Sequence, residues 1–273
     1  MRFRRKAINA APIAACLIIL LTSLAAAGER IQDNSFLVEE AYNQEEGVVQ
    51  HINAFQYMRK SKEWQYTFTQ EWPVFSQAHQ FSYTIPVIHK SDGSGSTGLG
   101  DLALNYRYQL VLRDEVAVAP RLSLLAPSGD YRRGLGSDAW GYQFNLPVSL
   151  TLSEKMVSHF NLGITYVPES REPTGGKADT VAYNAGASLI YNLVSGLDLM
   201  LEGVWYGAEK VIAANSTERE NTFLLNPGFR FAIDFKSGLQ VVPGIAFPIG
   251  FDAARDDYGV LFYLSFEHPF TNF

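Results

Sequence analysis

The chain has 273 residues, of which 47 % are hydrophobic, 13 % aromatic and 18 % charged, a balance that excludes a disordered or collagen-like protein. A single cysteine, Cys16, excludes an intrachain disulfide framework, and a formal net charge of −6 argues against a nucleic-acid partner. Mean hydropathy lies close to zero, but an average conceals any membrane protein whose apolar and polar residues alternate.

The chain opens with the basic residues Arg2, Arg4, Arg5 and Lys6, continues through an apolar core from Cys16 to Leu24, and reaches Ala25-Ala26-Ala27 before Gly28. This order predicts a secretory signal peptide over residues 1–27, cleaved after Ala27. The apolar stretch is too short for a bilayer span, and Cys16 precedes it where a lipidated cysteine would follow. Cleavage leaves 18 basic residues against 28 acidic ones, a net charge of −10, and no cysteine.

Residues 28–47 form an acidic leader, with Glu29, Asp33, Glu39, Glu40, Glu45 and Glu46 against Arg30, interrupted by Phe36-Leu37-Val38. Three forms suit it: a periplasmic tail, a short helix capped near Ser35, or a plug folded into a lumen. Its charge favours a partly ordered tail.

From residue 48 onward the pattern is alternation. Trp64, Tyr66, Phe68, Trp72 and Val74 share one face while Gln65, Thr67, Thr69 and Glu71 share the other. Leu102, Leu104, Tyr106, Tyr108, Leu110 and Leu112 oppose Ala103, Asn105, Arg107 and Gln109 in the same way. Side chains two apart share a face in a strand, so each segment has one greasy side and one polar side. The same test predicts twelve strands over 48–57, 63–74, 79–89, 100–112, 116–127, 140–151, 156–168, 179–191, 197–208, 221–233, 239–248 and 257–268. Most exceed the ~5–6 residues of a soluble strand and match the ~9–11 of a tilted membrane strand.

Short links at 75–78, 113–115, 152–155, 192–196 and 234–238 alternate with mostly longer ones at 58–62, 90–99, 128–139, 169–178, 209–220 and 249–256, of which only the first is brief. That alternation predicts an all-β fold, a transmembrane antiparallel up-and-down β-barrel occupying residues 48–273, with tight turns in the periplasm and long loops outside. The location implied is the outer membrane of a Gram-negative bacterium, with outer-membrane lipid as surroundings. The last strand carries Val260, Phe262, Leu264 and Phe266 on one face, followed by Phe270 and the terminal Phe273. Phe266, Phe270 and Phe273 are thus the candidate membrane-insertion signal, read by the barrel-insertion machinery.

Twelve strands place the lumen between the filled interior of an eight-stranded barrel and the aqueous channel of a sixteen-stranded one. Inward parity assigns Glu71, Asp101, Arg107, Arg121, His159, Glu202 and Arg230 as candidate lumen-lining or constriction residues. Charges of both signs suggest internal ion pairs as well as a filter. Catalysis is not expected, since His159 and Asn161 share the inward face without a GxSxG nucleophile turn near them. No metal or cofactor is expected either: Asp252, Asp256 and Asp257 lack calcium-loop spacing, and Gly98-Leu99-Gly100 lacks the strand-to-helix setting of a phosphate loop. The reading is a channel for passive passage of small solutes. The alternative is a closed structural or adhesin-like barrel that binds a partner through its extracellular loops.

The stretch Ser35-Phe36-Leu37-Val38-Glu39-Glu40-Ala41-Tyr42-Asn43-Gln44-Glu45, continuing through Gly47-Val48-Val49-Gln50-His51-Ile52, and the Gly98-Leu99-Gly100-Asp101 run opening a tyrosine-rich strand, resemble a family of bacterial outer-membrane proteins. That family is labelled MetA-pathway of phenol degradation, or transporter. The resemblance implies a Gram-negative outer-membrane barrel and uptake of small compounds, aromatic ones included. It transfers no catalytic residue.

Overall fold

Alternating side chains become a wall when every strand finds two partners. The computed structural model describes residues 31, 33–91 and 95–270; the predicted signal peptide and Phe273 lie outside them. Twelve staves follow in chain order. β1 is Val48–Met58, β2 Trp64–Val74 and β3 Ser76–Lys90. β4 runs in three pieces, Ser96–Leu99, Leu102–Tyr108 and Val111–Leu112, and β5 in two, Val116–Val118 and Arg121–Ala126. β6 is Gly141–Ser153, β7 Met156–Arg171, β8 Lys177–Val194 and β9 Leu197–Ala213. β10 joins Ser216–Phe231 to Ile233–Asp234, β11 joins Gln240–Ala246 to Ile249–Asp252, and β12 is Gly259–Pro269.

Each stave pairs antiparallel with the next, and β1 closes the circle by pairing with both β2 and β12, so that Phe55 stands opposite Tyr66 on one side and Phe262 on the other. Closure leaves no strand edge unpaired, which hydrocarbon demands. The greasy face points outward: Leu104 and Tyr106, Phe160 and Leu162, Leu199 and Leu201, and Phe262 and Leu264 are exposed. Asn105, Arg107, His159, Asn161, Glu202 and Ser265, set between them, are buried. A soluble barrel would show the reverse. The fold is a twelve-stranded transmembrane β-barrel.

The structure corrects several predicted loops. The connections expected over 169–178 and 209–220 are shorter than that, because β7 and β8 continue to Arg171 and Lys177, and β9 and β10 to Ala213 and Ser216. Cross-strand ion pairs hold these hydrated extensions: Lys177 Nζ to Glu169 at 2.6 Å, Lys210 Nζ to Glu220 at 2.7 Å and Arg219 to Glu209 at 2.9 Å. Beyond the apolar belt both faces meet water, so alternation fades although pairing continues. Likewise Ser96–Leu99, expected in a loop, pairs with the end of β3. The 128–139 link does form a loop, with a short 3-10 turn at Tyr131–Arg133 capped by Asp130.

Candidate functional site: the lumen and the leader crossing it

The wall turns amide, hydroxyl and charged groups inward, and the leader is the element that satisfies them. Arg230, buried on β10, donates from Nη1 to the carbonyls of Asp33 and Asn34 at 2.9 and 2.6 Å, and from Nη2 to that of Ile31 at 3.2 Å. Its Nε pairs with Asp198 of β9 at 3.1 Å. The Asp33 carboxylate accepts from Gln50 at 3.0 Å and Tyr263 at 2.6 Å, and also from Ser265. Ser35 donates its hydroxyl to Ser188 at 2.9 Å.

Further along, the backbone N–H groups of Leu37 and Val38 both donate to Glu202 Oε1, at 2.8 and 3.0 Å, while Asn226 holds the other oxygen at 2.7 Å. Asn161 exchanges two bonds with the Glu39 backbone, at 2.8 and 2.9 Å, and Gln109 takes the Asn43 N–H at 2.9 Å while donating to the Ala41 carbonyl at 2.7 Å. These bonds mimic a sheet ladder, with wall side chains standing in for a neighbouring strand.

The apolar interruption of the leader has its own seat. Phe36 packs edge-on to Tyr263 with ring centroids 5.6 Å apart, over Gly228 and Gly244, where an added Cβ would come within 2.7 and 2.5 Å of its ring. Only glycine leaves the wall flat enough there. Val38 is buried in the same way beside Gly186.

Six of the seven constriction candidates therefore gather around the leader. Arg107 donates to Asn43 Oδ1 at 2.9 Å and to the Glu40 and Tyr42 carbonyls at 3.1 and 2.6 Å, with Glu71 at 3.6 Å. Glu71 also accepts from Gln80 at 2.5 Å. Arg121 grips both oxygens of Glu39, at 3.0 and 2.7 Å. His159 Nδ1 lies 2.7 Å from Ser149 Oγ, which accepts the Ala41 N–H at 2.8 Å. Ser149 is 0 % exposed, and through its hydroxyl this Ser–His pair holds the leader at Ala41. Asp101 stands apart near the long-loop end, accepting from the Gly129 and Ser137 backbones at 2.9 and 2.8 Å and fastening the β5–β6 loop.

The acids of the leader find partners on the wall: Glu39 meets Arg121, and Asp33 meets three donors. What the sequence reading lacked was the glycine pair on β10 and β11, whose shared face marks a notch for an aromatic ring. Cavities flank the leader. One of about 350 Å³ opens at the short-turn end between Arg113, Asp114 and Lys155 and reaches Glu40, His159 and Ile190. Another, of about 160 Å³ toward the long loops, sets Thr67, Thr69, Ser82 and Thr84 opposite Phe36 and Leu37. A third, of about 520 Å³, lies at the long-loop mouth beside Lys60, Glu220 and Arg255.

A closed barrel with a lipid-facing apolar belt and a polar lumen threaded by its own N-terminal segment is a transmembrane barrel of the outer-membrane kind. Its particular lineage is given by sequence: the chain belongs to the family described as "Putative MetA-pathway of phenol degradation", whose model matches residues 48–257. Neither the leader nor β12 falls within the matched stretch. Among solved structures, an outer-membrane channel from Pseudomonas putida F1 is 14 % identical with a TM-score of 0.64, over 84 % of this chain and 98 % of that one. A KdgM porin is 8 % identical with a TM-score of 0.50, over 82 % and 99 %. At such identities the likeness is one of fold. No curated protein matches the sequence.

Proposed function

We propose that the protein is a channel in the Gram-negative outer membrane for passive passage of small solutes, aromatic compounds among them, with the leader as its plug. The observation that carries this reading is the lumen itself: wide enough to admit a folded segment, lined with polar groups, and opening into cavities on either side of that segment. The short turns face the periplasm, from which the leader enters. Glu71, Arg107, Arg121, His159, Glu202 and Arg230 form the constriction in concert with it, and the protein transports without chemical change to the solute. Phe266, stacked on His51 at 4.8 Å, and Phe270, whose N–H donates to the Gly47 carbonyl at 2.8 Å, serve as the insertion signal.

Single-channel recording in a planar bilayer tests the proposal. The mature chain is expected to conduct weakly, and a variant lacking residues 29–46 to conduct several-fold more. Equal conductance of the two would remove the leader as plug. The leader's occupancy of the lumen also favours a second reading, a closed barrel that binds partners by its loops, and a silent bilayer from the folded deletion variant would select it.

A further inference from the structure

Two histidines meet on the outer face of the wall where the barrel closes. His51 on β1 and His268 on β12 lie 217 positions apart in sequence, yet their Nε2 atoms are 3.4 Å from one another. The register explains the encounter. β1 and β12 pair so that His51 stands opposite Phe266 and Val49 opposite His268, which makes the two histidines diagonal neighbours on one face, close enough for their rings to touch. Phe266 and Phe68 hold the His51 ring by stacking, with centroids 4.8 and 6.2 Å away. Both histidines are only half-buried, so the pair is open to its surroundings.

The second ring nitrogen of His268 fixes which atom carries its lone pair. Nδ1 lies 3.0 Å from the Pro269 carbonyl, and a carbonyl oxygen only accepts, so Nδ1 holds the proton and Nε2 presents a lone pair. A far nitrogen that donates to a backbone carbonyl is the arrangement that orients histidines for metal binding. The spacing agrees with it: two imidazole nitrogens, each ~2.0–2.1 Å from a tetrahedral zinc ion, stand roughly 3.3–3.4 Å apart. His51 matches its partner when it too carries its proton on Nδ1 and turns the Nε2 lone pair to the ion. The pair sits at the short-turn end. Trp72, two residues past the Gln70 that faces His51, marks the aromatic girdle there, where water reaches the wall. Among the described residues no group of three or more side chains could hold a metal, so the protein supplies two ligands and water the rest.

We infer that His51 and His268 form a binding site for a divalent transition-metal ion such as zinc, held by the two Nε2 atoms with water in the open positions. Imidazole nitrogen suits zinc, nickel and copper, whereas magnesium and calcium take oxygen ligands. Because the ligands belong to the first and last staves, the bound ion ties the seam at which the barrel closes. The site stands whether or not the lumen conducts, since neither histidine faces it.

The test is calorimetric titration of zinc, and separately of magnesium, into the untagged mature full-length chain in detergent at neutral pH. Zinc is expected to bind at one ion per chain, and magnesium at least tenfold more weakly. His51→Phe and His268→Phe each keep an aromatic ring at the seam and remove one ligand nitrogen, so either should lower zinc affinity at least tenfold. A second measurement needs no variant to fold: an ion that binds only the folded barrel raises its thermal midpoint. Zinc should therefore raise by several degrees the temperature at which the wild-type barrel loses its folded gel mobility, and magnesium should not. Zinc affinity undiminished in either folded variant, magnesium binding as tight as zinc, a wild-type midpoint that zinc leaves unmoved, or no zinc binding at all overturns the proposal.

Discussion

Three arginines on the wall do work that a lipid-facing residue could not, and they differ in how much depends on them. Arg230 is the most enclosed: its side chain is 1 % exposed, its partner Asp198 3 %, and its remaining donors end on leader carbonyls. Arg230→Met would leave the Asp198 carboxylate buried without its guanidinium, and breaking a buried pair from one side costs about 3–5 kcal/mol. The expected outcome is a clear fall in the thermal midpoint, followed by the mobility difference between folded and heat-unfolded barrel on a gel. Arg121 pairs with a Glu39 side chain that is 30 % exposed, so Arg121→Ala should cost much less, and the two variants measured together rank the arginines.

At the scale of elements, the leader and the turns are each held by a few bonds whose removal has a defined direction. Gly244→Val would place a side chain where Phe36 now sits, since even a Cβ would stand 2.5 Å from the ring. The strand itself tolerates valine, so the leader should yield and the wall should stand. Conductance of Gly244→Val is expected to rise toward that of the leader deletion, while the heat-modifiable gel shift persists.

The β1–β2 turn is pinned differently. Asp257 accepts the Lys60 and Ser61 N–H groups at 2.6 and 3.0 Å; burial alone would raise its pKa, but those bonds outweigh it and hold the carboxyl below its ordinary value. A depressed folded pKa means that the stabilisation is full above the unfolded value of about 3.9 and disappears as pH falls through the lower folded one. Amide exchange at Lys60 and Ser61 should therefore be slower in the wild type than in Asp257→Asn by roughly tenfold at about pH 5, since a hydrogen bond to a charged group contributes ~1.5–3 kcal/mol. As pH falls through that lowered pKa the difference should vanish. The strands that frame this turn were legible because a period of two is imposed by the lipid on one face. The hydrated extensions of β7 to β10 were not, because there both faces meet water and charged residues can line either.

For the whole molecule, the sequence defined the barrel better than it defined the barrel's contents. Parity picked out Arg107, Arg121, Glu202 and Arg230 as inward, since every stave obeys the same lipid boundary, but parity says nothing about what an inward side chain touches. The leader's fold was hidden because its bonds run to residues more than a hundred positions away, Glu202 and Asn161 among them, and its own acids read as solvated until their partners are known.

That complementarity has an electrostatic consequence. The wall alone opposes Arg107, Arg121 and Arg230 to Glu71, Asp198, Glu202 and Glu267, close to balance, whereas the leader adds Asp33, Glu39 and Glu40 and makes the filled lumen acidic. An enclosed field of one sign selects counter-ions in a narrow passage. In a salt gradient, the full mature chain is accordingly expected to show a reversal potential displaced toward cations, and the variant lacking residues 29–46 one near zero. Adding Arg121→Ala to the deletion removes a wall cation that no longer has Glu39 to face, and it should return the displacement toward cations. A deletion variant as cation-selective as the full chain would place the selective charges on the wall and not on the leader.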